Sequence, residues 1–137
     1  MSKIVWKDKY NVGNETIDSQ HQYLVSLINR IDDKKDTGKL NVLELFKDMS
    51  VYAEKHFSDE ELIMKDVSYT NYLEHQKEHY NFIKKLNELY KKIESDEEII
   101  EEILFFLSDW LVNHILIRDK DLATFFDLEE EVEEIDL

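Results

Sequence analysis

The sequence has 137 residues, and its 32 acidic against 17 basic side chains give a formal net charge of -15. A chain of this length can bury one hydrophobic core, and its negative field disfavours nucleic acid and anionic membrane surfaces as partners. The absence of cysteine excludes disulfides, thiolate zinc sites and iron–sulfur clusters.

An extended arm precedes the first predicted helix. The chain has no proline and only two glycines, so little interrupts long helices. The first helix is predicted over residues 15–35, with Asn14 as a candidate N-cap and Gly38 placed to end it. Its inner stripe, with 4-3-4-3 spacing, contains Ile17, His21, Leu24, Ile28 and Ile31.

Three further helices are predicted over residues 42–65, 70–93 and 96–117, with Asn41 as a candidate cap for the first of them. Apolar residues recur in each at spacings of three and four, which predicts helices packed at shallow angles. Short connections predict that sequential helices run antiparallel. The predicted fold class is all-α: an up-down-up-down antiparallel four-helix bundle with an N-terminal extended arm. Residues 1–128 are expected to form the domain, and residues 129–137 a short acidic C-terminal tail.

No segment has the pattern of a membrane span or a signal peptide. The longest fully apolar run, at residues 103–107, is far too short to cross a bilayer. Residues 1–9 are polar and lack an apolar signal core. We therefore expect a cytoplasmic protein with no membrane partner.

All five histidines lie on the inner stripes of the predicted helices. His56 precedes Glu60 by four residues and His75 precedes His79 by four, so each pair shares one face of its helix. A single histidine in an apolar stripe is most often a hydrogen-bonded core residue. Five on four separate stripes would be costly to bury without a shared partner. The pattern predicts a metal site that gathers His21, His56, Glu60, His75, His79 and His114.

Asp119 is a candidate ligand in an unfavourable position. It follows His114 by five residues, which places it about 140° around an ideal helix and away from the other ligands. A widened turn, a tightened turn or a helix end between the two residues would bring it inward, and widened turns concentrate at functional sites. The alternative is that Asp119 is a solvated surface charge.

The order and spacing of these motifs resemble the signature of the hemerythrin family. They are His21, then His56-Phe57-Ser58-Asp59-Glu60, then His75-Gln76-Lys77-Glu78-His79, then His114-Ile115-Leu116-Ile117-Arg118-Asp119. The segments around Trp6, at residues 17–21 and at residues 110–115 resemble the bacterial members of that family. The resemblance extends to about Leu128.

The resemblance implies a non-haem di-iron centre that binds dioxygen reversibly. One iron would be held by His75, His79 and His114, and the other by His21 and His56. Glu60 and Asp119 would bridge the two irons together with an oxo or hydroxo group. The resemblance further implies an apolar dioxygen pocket, although each of its residues could equally be ordinary core packing. The pocket residues are Leu24, Phe57, Trp110, Leu111 and Ile115.

The implied ligand set leaves one coordination position open. Three histidines and three bridging oxygens complete six ligands, whereas two histidines and the same bridges make only five. Imidazole and carboxylate also suit manganese and zinc, so iron follows from the resemblance. Two carboxylates against five imidazoles are expected to favour binding of dioxygen over its consumption, and the chain is therefore predicted not to be an enzyme.

Two other functions stay open. The first is a di-iron enzyme that handles iron, forms peroxide or reduces nitric oxide, although the sequence reveals no further titratable cluster to supply protons. The second is a sensor of oxygen or nitric oxide, although the bundle leaves no room for an output segment. Storage, transport and delivery to an oxygen-consuming enzyme partner are not distinguished by the sequence, and neither is the oligomeric state.

Overall fold

The computed structural model describes residues 4–93 and 99–125. Four α-helices occur in these ranges: α1 (Glu15–Lys34), α2 (Lys39–Asp66), α3 (Tyr72–Ile93) and α4 (Ile99–His114). Helices consecutive in the chain pack against each other, and α4 returns to pack against α1. The described residues contain no strand, so the prediction of an all-α four-helix bundle is confirmed. None of these helices is both long and apolar enough to cross a bilayer.

The N-terminal arm is tied to α1 by side-chain hydrogen bonds. It contains one short 3-10 turn, Asp8–Tyr10. The backbone of Ile4 exchanges two hydrogen bonds of 2.9 Å with the side chain of Asn29. Where the arm enters α1, Gly13 has a φ of 87°, a conformation that glycine adopts without steric cost. The predicted cap is confirmed, because the Asn14 side chain accepts a 3.0 Å hydrogen bond from the Ile17 amide.

The predicted end of α1 agrees with the structure to within one residue, but the roles predicted for Gly38 and Asn41 are wrong. Helix α1 ends at Lys34, and Gly38 is the N-cap of α2 rather than the end of α1. With a φ of 132°, Gly38 turns the chain in a conformation that other residues rarely adopt. The second helix therefore starts before Asn41, which lies inside its first turn and donates a hydrogen bond to the Thr37 hydroxyl. The third helix starts at Tyr72 rather than at residue 70, because residues 70 and 71 form a turn.

The polar candidate ligands and the apolar core occupy different levels of the bundle. His21 lies near the start of α1 and His75 near the start of α3, whereas His56 lies in the second half of α2 and His114 is the last residue of α4. Antiparallel helices bring these positions to one level. The core beyond them is built from fully buried aliphatic residues such as Leu27, Ile31, Leu86 and Ile103. The predicted start of the fourth helix at residue 96 and the tail at residues 129–137 lie outside the described residues.

Candidate metal centre

A single widened turn brings Asp119 to the candidate centre. Helix α4 passes at its last residue, His114, into a π-helix, Ile115–Asp119, and residues 120–125 are again α-helical. The wider turn lets residues five apart in sequence face the same side. Asp119 is buried, with an exposed fraction of 1%. The predicted departure from regular α geometry is confirmed, and the alternative that Asp119 is a surface charge is wrong.

The histidines form two groups around the carboxylates. In the three-histidine group, the Nε2 atoms of His75 and His79 lie 3.1 and 3.2 Å from Nε2 of His114. The ligand atoms of this group and of Glu60 all lie within 4.8 Å of one another. The two-histidine group is formed by His21 and His56, and its ligand atoms lie within the same distance of Glu60 and Asp119.

The two oxygens of Glu60 are divided between these groups. Oε1 lies 2.6 Å from His75 Nε2 and 3.1 Å from His79 Nε2. Oε2 lies 3.3 Å from His56 Nε2 and 3.8 Å from His21 Nε2. Glu60 therefore has one oxygen on each side, which is the arrangement of a carboxylate that can bridge two metal ions.

The two oxygens of Asp119 are divided in the same way. Oδ1 lies 3.1 Å from His75 Nε2 and 3.2 Å from His114 Nε2, on the three-histidine side. Oδ2 lies 3.0 Å from His21 Nε2, on the two-histidine side. The widened turn thus places a second carboxylate in a bridging arrangement.

Six buried polar atoms in this cluster fit metal ions better than they fit each other. They are Nε2 of His21, Nε2 of His56 and all four oxygens of Glu60 and Asp119, and none has a hydrogen-bond partner among the described residues. A buried polar atom left in this state costs about 1–3 kcal/mol. These atoms lie close together without the geometry of hydrogen bonds between them. Their lone pairs are therefore free for an ion placed between the ligand atoms of each group. Imidazole nitrogens and carboxylate oxygens are ligands for divalent first-row metals, and the cluster could hold two such ions.

Without metal, the same cluster retains protons. Burial alone lowers the pKa of His21, but the Asp119 and Glu60 carboxylates outweigh it and raise this pKa to about 9. Burial also opposes a charge on His114, yet Asp119 holds its pKa well above the usual range. Conversely, burial raises the pKa of Glu60, and contacts with His114 and His21 outweigh it to hold this pKa well below its ordinary value. Metal ions must therefore displace protons from the Nε2 atoms.

Outer contacts that sequence reasoning missed hold several of the histidines. His56 Nδ1 lies 2.6 Å from Gln20 Oε1, and the amide nitrogen of Gln20 donates a 2.8 Å hydrogen bond to Asp59. On the other side, Glu78 lies 3.3 Å from His114 Nδ1. Each of the four outer residues is the immediate sequence neighbour of a candidate ligand, and this adjacency was the available signal. They are Gln20, Asp59, Glu61 and Glu78.

These charged neighbours correct one expectation. The sequence showed no further titratable cluster, yet Glu78 accepts a 2.6 Å hydrogen bond from Arg118 Nε, and Glu61 lies 3.5 Å from His79 Nδ1. Both carboxylates contact the outer Nδ1 edges of the histidines. They do not reach the Nε2 atoms on which the candidate ligands converge.

The predicted pocket residues are buried or partly buried in the bundle core, and two of them stack on candidate ligand histidines. Leu24, Phe57, Leu111 and Ile115 are buried members of one core cluster, and Trp110 is partly buried against it. Phe57 stacks on His79 with ring centroids 4.0 Å apart and planes 9° from parallel. Trp110 stacks on His114 in a similar way, at 4.4 Å and 11°. These two rings cover the three-histidine group, and the dioxygen pocket itself stays a prediction.

Comparisons with known proteins agree with this geometry. Residues 12–126 match the family model described as the Hemerythrin HHE cation binding domain. A bacteriohemerythrin of Pseudomonas aeruginosa is 34% identical over 117 residues, covering 84% of this chain and 76% of that protein. A bacteriohemerythrin of Clostridium acetobutylicum is 32% identical over 128 residues, covering 85% and 96%. The crystal structure of wild-type hemerythrin superposes with a TM-score of 0.80 at 27% identity, over 87% of this chain and 94% of that one. The chain belongs to the hemerythrin family.

Proposed function

We propose that this chain binds dioxygen reversibly at a di-iron centre. The proposed ligands are His75, His79 and His114 for one iron, His21 and His56 for the other, and Glu60 and Asp119 as bridges. The observation that carries the proposal is the division of both carboxylates, each with one oxygen toward either histidine group. When bound there, a pair of iron ions supplies reversible electron exchange with dioxygen.

The unequal histidine groups support a small-molecule position on one side only. The chain offers three imidazoles to one metal position and two to the other, while both positions share Glu60 and Asp119. The two-histidine side therefore has the incomplete ligand set. We propose that dioxygen is bound on the side of His21 and His56.

The residues around the centre favour binding without turnover. Among the described residues, two carboxylates reach the converging atoms, against five imidazoles. Carboxylate-rich bundle sites are the ones typical of di-iron proteins with paired Glu-x-x-His motifs. Glu61 and Glu78 contact outer histidine edges and are not aimed at the centre. Buried apolar side chains, including Leu24, Leu111 and Ile115, restrict the access of water. We therefore propose an oxygen-binding protein rather than an enzyme.

The test is an iron count combined with a visible spectrum on one sample. We expect close to two irons per chain, and we expect exposure of the reduced protein to oxygen to produce a charge-transfer band that disappears under vacuum. His79→Ala should lose both iron and band, whereas Lys77→Ala, on the exposed side of the same helix, should lose neither. A band that decays only to ferric protein would instead favour a peroxide-forming enzyme.

A further inference from the structure

The two histidine groups differ in what contacts their outer Nδ1 atoms. In the three-histidine group, Nδ1 of His114 lies 3.3 Å from a carboxylate oxygen of Glu78, and Nδ1 of His79 lies 3.5 Å from one of Glu61. Nδ1 of His56, in the two-histidine group, lies 2.6 Å from the neutral amide oxygen of Gln20. Carboxylates therefore face one group, and an amide faces the other.

The remaining two histidines do not reverse this difference. Nδ1 is buried without a hydrogen-bond partner among the described residues in His21, His75 and His79, so Glu61 acts on His79 only as a charge 3.5 Å away. The two-histidine group thus has one histidine without such a partner, and the three-histidine group has two. The difference in outer charge comes from Glu61 and Glu78 alone.

Fixed contacts hold each outer residue in its orientation. The amide nitrogen of Gln20 donates a 2.8 Å hydrogen bond to Asp59, and this bond turns the amide oxygen of Gln20 toward His56. Glu78 receives a 2.6 Å hydrogen bond from Arg118 Nε, which leaves its other oxygen toward His114. Arg118 belongs to the π-helix, so the widened turn that brings Asp119 inward also positions Glu78.

An outer carboxylate changes what a histidine offers to a metal. When the outer N–H of a ligand histidine donates to a carboxylate, the ring is held in one tautomer and its other nitrogen becomes a stronger base. A neutral amide fixes the tautomer in the same way, but it attracts the Nδ1 proton less strongly, so the other ring nitrogen gains less basicity. The structure therefore places the stronger nitrogen donors on the three-histidine side.

Resting on the proposed di-metal site, we propose that Glu78, through its hydrogen bond to His114, is the main positioning residue that makes the three-histidine group the tighter metal position. Glu61 adds to this effect through its charge beside His79. The three-histidine group fills first as metal is added. Gln20 leaves the two-histidine position weaker and readily exchangeable. The order of filling is thus set in part by residues that do not touch the metal.

The difference of one histidine between the groups could by itself order the two affinities, so the test keeps every histidine. Metal-free protein is titrated with Co²⁺ under nitrogen, with a competing chelator, and two dissociation constants are fitted from the visible absorption of Co²⁺. Glu78→Gln should weaken the tighter constant by about 10- to 100-fold, and Glu61→Gln should weaken it less, because the Glu61 carboxylate makes no hydrogen bond to His79. Both variants should leave the weaker constant unchanged. Gln20→Glu combined with Asp59→Asn, which replaces the carboxylate that the new carboxylate would otherwise meet, should tighten the weaker constant and leave the tighter one unchanged.

Glu74→Gln is the matched control. Glu74 lies one turn before Glu78 on α3, carries the same charge, is mostly exposed, and is 3.8 Å from Arg118 without a contact to a histidine. This variant should leave both constants unchanged. Equal weakening by Glu74→Gln and Glu78→Gln would overturn the proposal, because nearby charge would then explain the effect without the histidine contact.

A spectroscopic measurement separates the hydrogen bond from a general loss of structure. In zinc-loaded protein, Glu78→Gln should shift the Nδ1–H proton resonance of His114 and leave that of His56 in place. If Glu78→Gln does not fold, the double variant Gln20→Glu and Asp59→Asn still tests the proposal from the opposite side. If two Co²⁺ ions bind and their dissociation constants do not respond to these variants, this inference is overturned and the di-metal site is unaffected. If wild-type protein binds no second Co²⁺, the result counts against the site itself.

Discussion

Removal of metal should make the stability of this protein depend on pH in the opposite way to its metal-bound form. The metal-free cluster is stabilised by protonated histidines beside Asp119 and Glu60, of which His21 is the clearest case because its pKa is raised to about 9 from 6.5. A histidine whose pKa is higher in the folded state stabilises that state fully below its unfolded pKa. The stabilisation is lost as the pH rises through the folded pKa. The window of change is therefore pH 6.5 to 9.

The magnitude follows from the two pKa values of His21. Each pH unit between them corresponds to about 1.4 kcal/mol, so the contribution lost across the window is about 3 kcal/mol. For a chain of this length, such a loss lowers the melting temperature by about 10 °C. His75 and His114 also have raised pKa values and add in the same direction. His56 has a lowered pKa, so it opposes the effect only near pH 6.5, where its unfolded form is still partly protonated, and it is neutral in both states above about pH 7.5.

The metal-bound protein should show the reverse trend, because metal competes with protons for the same nitrogens and binds better as the pH rises. Thermal unfolding is measured at pH 6.5, 7.5 and 9 at constant ionic strength, with excess zinc and with a chelator. The gap between the two melting temperatures should widen with pH. His21→Gln should reduce the pH dependence of the metal-free protein to the part that His75 and His114 contribute. Metal-free stability that is constant or increases from pH 6.5 to 9 would refute the assignment of a protonated His21 beside Asp119.

Three further variants test individual parts of the centre. Asp119→Asn should lower iron retention, because it removes the charge of a buried bridge. Asp121→Asn should not, because this nearby aspartate is exposed and accepts a hydrogen bond from Asn71. Equal iron content of the two variants by metal analysis would reduce Asp119 to a packing role. His79→Ala should lose metal outright in the same measurement, and retention of two irons would remove it from the ligand set. Leu24→Ala should keep its iron and lose about 2 to 5 kcal/mol of stability in denaturant unfolding, while the oxygenated form converts faster to ferric protein; an unchanged conversion rate in folded protein would assign Leu24 to packing only.

The parts of the fold that depend on local periodicity could be predicted from the sequence. The stripe through Ile17, His21 and Leu24 requires only that residues three and four apart share a helix face. The Asn14 cap likewise depends on residues within one turn, since its side chain accepts from the Ile17 amide. Such features are encoded within a few neighbouring residues, and the structure agrees with them.

The start of α2 was not predictable in this way, because two signals compete there. Asn41 is a favourable cap by residue type, but Gly38 has the φ of 132° that lets the chain turn three residues earlier. The helix gains a turn by starting after Gly38, at the cost of a cap without a side-chain hydrogen bond. A start after Gly38 gives a longer helix, and a start after Asn41 gives a better cap. Residue preferences alone do not decide between them.

The outer contacts of the centre lie beyond sequence reasoning for a different reason. Gln20 and His56 are 36 residues apart, as are Glu78 and His114. Whether two such residues meet depends on how each helix is rotated about its axis and on its axial offset from its neighbour. Periodicity identifies the face that a helix buries, but it does not fix the rotation finely enough to place a residue at the edge of that face.

The widened turn at the end of α4 could be predicted from the sequence only in part. The five-residue interval between His114 and Asp119 is visible in the sequence, and it requires a departure from α geometry if both residues are to face one centre. The sequence alone does not choose between a widened turn, a tightened turn and a helix end. The structure has a π-helix, and this choice has a consequence that the other two do not share. Because the helix continues through residue 125, Arg118 is carried on a rigid element to Glu78 while Asp119 enters the cluster. One local departure from the α-helix therefore supplies both an inner carboxylate and the outer support of His114.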